Sequence, residues 1–169
     1  MSRAGMLAIR PLRLGETEVV ESVFARLGPL SRALRFGGAK ATLSGSELET
    51  LADVGERRHA VVAFVAGDWA PAGIARFVVD THDRSTAEVA IAVVDEHQGR
   101  GIGKALMRAL VADARAAGVE RLRATIAGEN RRSLALLRTV ATIDDIRFGG
   151  GSIEVVASIP SPSTLLRAA

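Results

Sequence analysis

The sequence contains no cysteine and no tyrosine, and lysine occurs only at Lys40 and Lys104. The absence of cysteine excludes disulfide bonds, thiolate metal sites and a cysteine nucleophile, and it is typical of a protein of the reducing cytoplasm. Arginine supplies nearly all of the positive charge, although the net charge is only +3. A guanidinium group pairs well with phosphate and carboxylate, which suits an anionic ligand. A biased genome composition would give the same arginine content, so the charge alone predicts no ligand.

Long apolar runs and aromatic residues are also scarce. No stretch reaches the roughly 18 to 20 apolar residues of a membrane-spanning helix, and the first seven residues are too short an apolar run for a secretory signal. The aromatic residues are five Phe and Trp69, and no arginine-rich run is present. Little is therefore available for stacking bases or following a phosphate backbone. We expect a cytoplasmic protein that binds neither a membrane nor nucleic acid.

Size and patterning predict one domain. A chain of 169 residues, 48% of them hydrophobic, can bury one substantial core. No repeat, low-complexity run or long linker divides the sequence, so we expect a single domain over residues 1–169. Its core should span about 7–158, and residues 159–169, with Pro160 and Pro162, should form a loose tail.

Hydrophobic periodicity predicts the elements of this domain. Their order is strand, helices, three strands, helix, strand, helix and two strands, which indicates a mixed sheet with helices on both faces. Ser46 and Glu49 match a capping box at the start of the third helix, and Asn130 should cap the last one. The predicted strands are 7–10, 59–66, 73–80, 88–94, 121–127, 142–147 and 152–158; the predicted helices are 16–27, 30–36, 46–54 and 101–117, with a short one after Asn130.

A glycine-rich segment joins the strand 88–94 to the long helix 101–117. Glycines at such a turn leave backbone N–H groups uncovered, and the helix N-terminus adds a partial positive charge, so the turn can hold a phosphate. A Walker loop is excluded because Gln98 replaces its first glycine and Ala105 replaces its hydroxyl residue. A dinucleotide fingerprint fits poorly, since Gly99, Gly101 and Gly103 are spaced G-x-G-x-G.

The pattern that fits is Gln/Arg-x-x-Gly-x-Gly/Ala, present here as Gln98-Gly99-Arg100-Gly101-Ile102-Gly103. Together with the strand before it and Gly128-Glu129-Asn130 downstream, it resembles the GNAT superfamily of N-acetyltransferases. The resemblance covers about residues 7–158. It implies an α+β (mixed α/β) domain in which a mixed, mostly antiparallel sheet of about seven strands carries helices on both faces. Ser31–Phe36 and Ala87–Ala90 look like the acetyltransferase domain of bacterial protein-lysine acetyltransferases.

The resemblance also implies the site. Acetyl-CoA is the implied co-substrate, and no metal is implied. A bulge at Ile91–Val93 would splay that strand from strand 121–127, and a Val93 N–H would polarise the thioester carbonyl. Glu88 would be the general base that deprotonates the amine. The residues implied to bind the cofactor are Ile91, Val93, Gln98, Gly99, Arg100, Gly101, Ile102, Gly103, Lys104, Asn130 and Ser133.

The sequence lacks a tyrosine general acid and a recognisable metal site. Many members of the superfamily protonate the leaving thiolate with a tyrosine after the asparagine, and Leu136-Leu137-Arg138 occupies that region here. Water would then protonate the thiolate, or the protein would be a poor catalyst. His59, His82 and His97 are too scattered along the chain to predict a metal site, and His97 reads as a surface loop residue.

The function expected on this resemblance is acetyl-CoA-dependent transfer of an acetyl group to a primary amine by direct attack. A protein lysine is the favoured acceptor, and a small amine such as an antibiotic, polyamine or amino acid is the alternative. A non-catalytic acyl-CoA sensor is a further alternative because the tyrosine is missing. The sequence leaves open the acyl-chain preference and whether the protein is a monomer or a homodimer.

Overall fold

The computed structural model describes residues 6–38 and 40–161, which build one seven-stranded sheet. The strand order is β1-β2-β3-β4-β5-β7-β6, and only the β4–β5 pair is parallel. The strands are β1 Leu7–Pro11, β2 Arg58–Val65, β3 Pro71–Val79, β4 Thr86–Val93, β5 Arg121–Ala127, β6 Thr142–Gly149 and β7 Ser152–Ser158; the helices are α1 Thr17–Ala25, α2 Pro29–Phe36, α3 Gly45–Ala52, α4 Ile102–Ala116 and α5 Arg131–Arg138.

Helices cover both faces of the sheet because successive strand residues point in opposite directions. In β2, Val61 and Ala63 belong to a core cluster that includes the buried face of α4. Their neighbours Ala60 and Val62 belong to a second cluster with residues of α1 and α3. The predicted α+β fold, with a mixed sheet of seven strands and helices on both faces, is therefore confirmed.

The element boundaries differ from the prediction mainly at the ends. Helix α1 ends at Ala25 instead of Leu27, and β3 begins at Pro71, two residues earlier than predicted. The tail predicted to be loose begins with two hydrogen-bonded residues: Ile159 N–H donates to the Glu120 carbonyl, and Arg115 donates to the Pro160 carbonyl. Residues 162–169 of that tail lie outside the described part of the chain. No helix within the described residues is long and apolar enough to cross a membrane.

The prediction of the capping box at Ser46 and Glu49 is wrong by two residues. Ser44 is the N-cap of α3: its hydroxyl accepts from Glu47 N–H at 3.3 Å, while Glu47 accepts from Ser44 N–H at 2.8 Å. The motif S-x-x-E occurs at both positions of the sequence. The upstream copy starts the helix because it completes both reciprocal hydrogen bonds.

Removing this cap gives a direct test. We expect Ser44→Ala to lower the free energy of unfolding by about 1 kcal/mol, since it leaves Glu47 N–H without its side-chain acceptor. Ser46→Ala, which lies in the first turn of the same helix, should have a much smaller effect. Urea unfolding of both variants measures the difference, and equal losses would contradict the assignment of Ser44 as the cap.

Candidate functional site

A gap opens in the middle of the sheet, where β4 and β5 diverge. The two strands pair only over Thr86–Glu88, opposite Arg121–Arg123. On its other side, β4 stays paired with β3 through Val93, opposite Gly73, without a shift in register. The divergence predicted for these strands is thus present. The bulge predicted at Ile91–Val93 is absent from the β3–β4 ladder, so divergence from β5 alone opens the gap.

The backbone of β4 presents polar groups to this gap. Val94 N–H donates to the Ala72 carbonyl at 2.9 Å, toward β3. Because the hydrogen-bonding direction alternates along an antiparallel strand, the N–H and C=O groups of Val93 and Ile91 point away from β3, toward the gap. An extended ligand lying between β4 and β5 could therefore pair with β4 as a strand would.

The glycine-rich segment lies beside this gap, at the start of α4. Gly99 and Gly101 adopt φ values of +73° and +83°, the left-handed conformation that glycine alone adopts at little cost. Gly101 is the N-cap of α4, and the first bond of the helix runs from Ala105 N–H to the Gly101 carbonyl. The N–H groups of Ile102, Gly103 and Lys104 consequently have no acceptor within the helix. These three N–H groups make the N-terminus of α4, a helix of 15 residues, suitable for binding an anion.

Gly103 sits where this helix end meets the gap. A Cβ at this position would lie 3.3 Å from a methyl carbon of Leu136 in α5, 3.7 Å from Val93 and 3.8 Å from Ile91. Glycine therefore lets the α4 N-terminus approach both β4 and α5 closely. Arg100 and Lys104 are exposed on the same segment and add two full positive charges.

Side chains on the loop before α4 hold it against the rest of the protein. The Gln98 amide donates to the Val93 carbonyl at 3.0 Å and to the Ser31 hydroxyl at 3.2 Å. Asp95 accepts from Gly28 N–H at 3.1 Å, at the N-cap of α2. Gln98 was predicted to bind cofactor, and that role stays a prediction. In the structure its side chain positions the loop.

His97, predicted to lie on the surface, is buried. Only 7% of the residue is exposed, and its Nε2 atom lies 2.8 Å from an Asp68 carboxylate oxygen. Arg26 joins the same group: it donates to Asp68 at 2.6 Å and to Glu96 through Nε at 3.0 Å. The prediction failed because Asp95 and Glu96 make the segment look solvated, whereas its partner Asp68 lies 29 residues earlier in the chain.

This ion-pair network includes a triad with metal-ligand spacing. One ligand atom each from Asp68, Glu96 and His97 lie within 4.8 Å of one another. Arg26 already pairs with both carboxylates through direct hydrogen bonds. The group is therefore best described as a network that fixes the loop before α4.

Asp68 should carry much of the stability of this network. Hydrogen bonds from His97, Ala70 N–H and Arg26 hold the pKa of the Asp68 carboxyl well below its usual range. We expect Asp68→Asn to lower the free energy of unfolding by about 1–2 kcal/mol at neutral pH. A carboxyl with a depressed folded-state pKa stabilises the protein above its unfolded pKa of about 3.9, and that contribution is lost as the pH falls toward the folded value. The difference in the free energy of unfolding between wild type and variant should therefore shrink below about pH 4. Urea unfolding at several pH values measures it, and a difference that stays constant with pH would contradict a stabilising role of the ionised Asp68 carboxylate.

Glu88 lies on the opposite face of β4 from Ile91 and Val93. It is exposed, and no described residue lies within hydrogen-bond or ion-pair distance of its carboxylate. Ala90 and Ala92 share its face and line a cavity of about 30 Å³ together with two arginines, Arg35 and Arg76. Glu88 is thus free to contact a ligand that enters between the sheet and helices α1 to α3.

The last helix begins as predicted. Asn130 is the N-cap of α5, and its side-chain oxygen accepts from Ser133 N–H at 3.2 Å. The cofactor contacts predicted for Asn130 and Ser133 stay predictions. Leu136 of this helix packs toward Gly103, near the gap, so an apolar side chain occupies the region in which the family resemblance implied a tyrosine.

Most of the predicted site residues are brought together. The glycine segment, Ile91 and Val93 surround the mouth of the gap, with α5 beside it, while Glu88 faces the helices on the other side of the sheet. Sequence reasoning missed Ser31, Asp95, Arg35 and Arg76. For Arg76 a signal existed, since a lone charged residue interrupts the otherwise apolar run Ile74–Val78.

Comparisons with known proteins all identify acetyltransferases of one family. The sequence model of the acetyltransferase (GNAT) family matches residues 36–140. The acetyltransferase Pat of Mycolicibacterium smegmatis is 42% identical over 122 residues, which are 70% of this chain and 35% of that protein. The chain thus spans about a third of the length of this relative.

Two solved structures show the same fold. The GNAT domain of the PAT protein of S. lividans superposes with a TM-score of 0.81 at 23% identity, covering 92% of both chains. The protein yncA of Salmonella typhimurium, solved with its cofactor acetyl-CoA, superposes with a TM-score of 0.66 at 18% identity, covering 90% of this chain and 92% of that one.

Proposed function

Because this chain belongs to the GNAT family of acetyltransferases, we propose that it transfers an acetyl group from acetyl-CoA to a primary amine, with Glu88 as the general base. The observation that carries the proposal is the uncapped N-terminus of α4. It is reached through two left-handed glycines and lies beside the gap between β4 and β5.

The residues at this place fit acetyl-CoA. A pyrophosphate can accept from the N–H groups of Ile102, Gly103 and Lys104, which have no acceptor within the helix, and Arg100 and Lys104 can balance its charge. The amides of a pantetheine arm can pair with the backbone of Ile91 in the gap, beyond the Val93 carbonyl that accepts from Gln98. The small volume of Gly103 lets the start of α4 lie close to Ile91 and Val93, because a side chain there would meet Leu136.

Bound acetyl-CoA would supply a thioester as the acyl donor. Val93 N–H, which points into the gap, can donate to the thioester carbonyl and stabilise negative charge on its oxygen. The amine nitrogen forms a bond to the carbonyl carbon, the carbon–sulfur bond breaks, and the amine proton passes to Glu88, directly or through one water. The proton required by the leaving thiolate comes from water, since the chain has no tyrosine.

The acceptor is a protein lysine or a small amine. A protein lysine is favoured by the resemblance of Ser31–Phe36 and Ala87–Ala90 to bacterial protein-lysine acetyltransferases. A small amine is favoured by the small volume, about 30 Å³, of the cavity near Glu88, which is bounded by α1, α2 and α3.

The proposal is tested by thiol release from acetyl-CoA across a panel of small amines and lysine peptides. The protein contributes no thiol background, because it has no cysteine. Amine-dependent release with measurable turnover would support the proposal. Tight acetyl-CoA binding without release for any amine would contradict it and favour the sensor function.

A further inference from the structure

Two arginines in the cavity beside Glu88 differ from most arginines of the protein. Arg35 comes from α2 and Arg76 from β3, and both are partly buried. In the described part of the chain, neither has a hydrogen-bond or ion-pair partner; Arg35 only lies over the Phe36 ring, at 4.8 Å. The other strand arginines on this face of the sheet are paired: Arg10 with Glu16, Arg58 with Asp53, Arg121 with Asp83, Arg123 with Asp80 and Glu154, and Arg147 with Asp145.

Burying an unpaired guanidinium is unfavourable, so an arrangement of two requires an explanation. Burial, together with the neighbouring charge of Arg76, lowers the pKa of Arg35 to about 10. Burial likewise lowers the pKa of Arg76. Glu88 is the one carboxylate that favours the charged form of both, yet it pairs with neither. An anionic ligand would satisfy both arginines at once.

The rest of the cavity wall limits what this ligand can be. Apart from the two arginines it is apolar, with side chains from α1, α2, α3, β3 and β4. Its volume of about 30 Å³ suits a carboxylate better than a larger anion. The cavity adjoins the general base: Glu88 is opposite Val78 and Ala90 is opposite Arg76, so Glu88 and Arg76 are diagonal neighbours in the β3–β4 ladder. Such positions are about 7–8 Å apart.

We propose that Arg35 and Arg76 bind the carboxylate of the acceptor, and that the acceptor is a free amino acid acetylated on its amine. This inference rests on the proposed acetyl transfer. The carboxylate of Glu88 lies next to the positive charges of Arg35 and Arg76. This arrangement is complementary to a molecule whose amine faces Glu88 and whose carboxylate faces the two arginines. A carboxylate on the acyl group, as in succinyl-CoA, would also satisfy Arg35 and Arg76. It would not explain why Glu88 lies next to these two arginines. A lysine side chain of a protein has no carboxylate to offer the pair.

The experiment compares the free amino acids with their C-terminal amides as acceptors in the thiol-release assay. The amide removes the carboxylate and makes the α-amine less basic, so without carboxylate recognition the amide should be the better acceptor. We expect at least one amino acid to exceed its amide in kcat/KM by about 100-fold, mainly through KM. Equal or better rates with every amide, or a preference for lysine peptides, would overturn the inference while leaving acetyl transfer intact.

Variants assign the effect to the two arginines. Arg35→Gln and Arg76→Gln should each remove most of the preference for the acid, by lowering kcat/KM with the acid far more than with the amide. Arg35→Lys and Arg76→Lys should restore part of it. Arg10→Gln, which breaks a paired arginine on the same face of the sheet, is the matched control and should keep the preference. Retention of the preference in both glutamine variants would overturn the assignment, as would a preference that appears only for succinyl-CoA as donor.

Binding separates failure of this inference from failure of the proposed function. If no amine releases thiol, calorimetric titration of the amino acids and their amides into the CoA-saturated protein decides. Binding of an acid but not its amide, lost in Arg35→Gln and Arg76→Gln, would support the carboxylate site although acetyl transfer had failed. Absence of binding by any acid would overturn it.

Discussion

Replacing Glu88 by glutamine is expected to lower kcat for acetyl transfer by about 100-fold or more, which is the usual effect of losing a general base. The affinity for acetyl-CoA should stay nearly unchanged, because Glu88 lies on the face of β4 opposite Ile91 and Val93. The defect should become smaller at high pH: an amine with a pKa of about 10.4 is increasingly neutral there and needs less help in losing its proton. Steady-state kinetics across pH, beside acetyl-CoA titrations, measure both effects.

Glu154→Gln is the matched control for this variant. Glu154 is a glutamate on the same face of the sheet, in β7, and its nearest cationic partner is Arg123 at 3.6 Å. It should keep wild-type kcat. A Glu88→Gln variant with unchanged kcat at neutral pH, or one whose defect is the same at every pH, would show that another group takes the proton.

Replacing Gly101 by alanine is expected to raise the dissociation constant for acetyl-CoA about tenfold. Gly101 has φ +83°, and a residue with a Cβ costs about 1–2 kcal/mol in this conformation. Relaxation of that strain turns the peptide planes at the start of α4. The N–H groups of Ile102, Gly103 and Lys104 would then no longer converge on one anion.

The same helix supplies the control at its other end. Gly118 follows α4 with φ +84°, and a Cβ would meet open space at both glycines. Gly118→Ala therefore imposes the same backbone strain without touching the proposed anion site. Both variants should lose similar stability in thermal unfolding, while only Gly101→Ala should lose affinity in calorimetry. Equal affinities would mean that the α4 N-terminus does not hold the pyrophosphate.

Local pattern was sufficient to predict the parts of the site that depend on neighbours in sequence. The strand before the glycine segment and the helix after it follow from the change of hydrophobic period, and both boundaries agree with the structure within two residues. The cap at Asn130 was predicted for the same reason, since an N-cap acts on residues two or three positions away. The capping box of α3 shows the limit, because Ser44 and Ser46 both satisfy the motif and only the folded chain selects one.

Contacts between distant segments could not be predicted from the sequence. His97 meets Asp68 across 29 residues, and Gln98 meets Ser31 across 67. Arg35 and Arg76 lie on a helix and a strand that are adjacent only because the helices pack over β3 and β4. The point at which β4 leaves β5 also depends on tertiary packing. The predicted gap therefore rested on the family resemblance, and the bulge predicted with it is absent from the β3–β4 ladder.

The measurement that tests the binding site most directly is hydrogen exchange of the backbone amides with and without acetyl-CoA, followed by mass spectrometry. The proposed site predicts slower exchange in peptides that cover residues 91–104, because the ligand would accept from amides at the start of α4 and pair with β4 in the gap. Peptides from β1 and from the β6–β7 hairpin should be unaffected. Saturating acetyl-CoA that leaves exchange over 91–104 unchanged and slows it elsewhere would contradict the site.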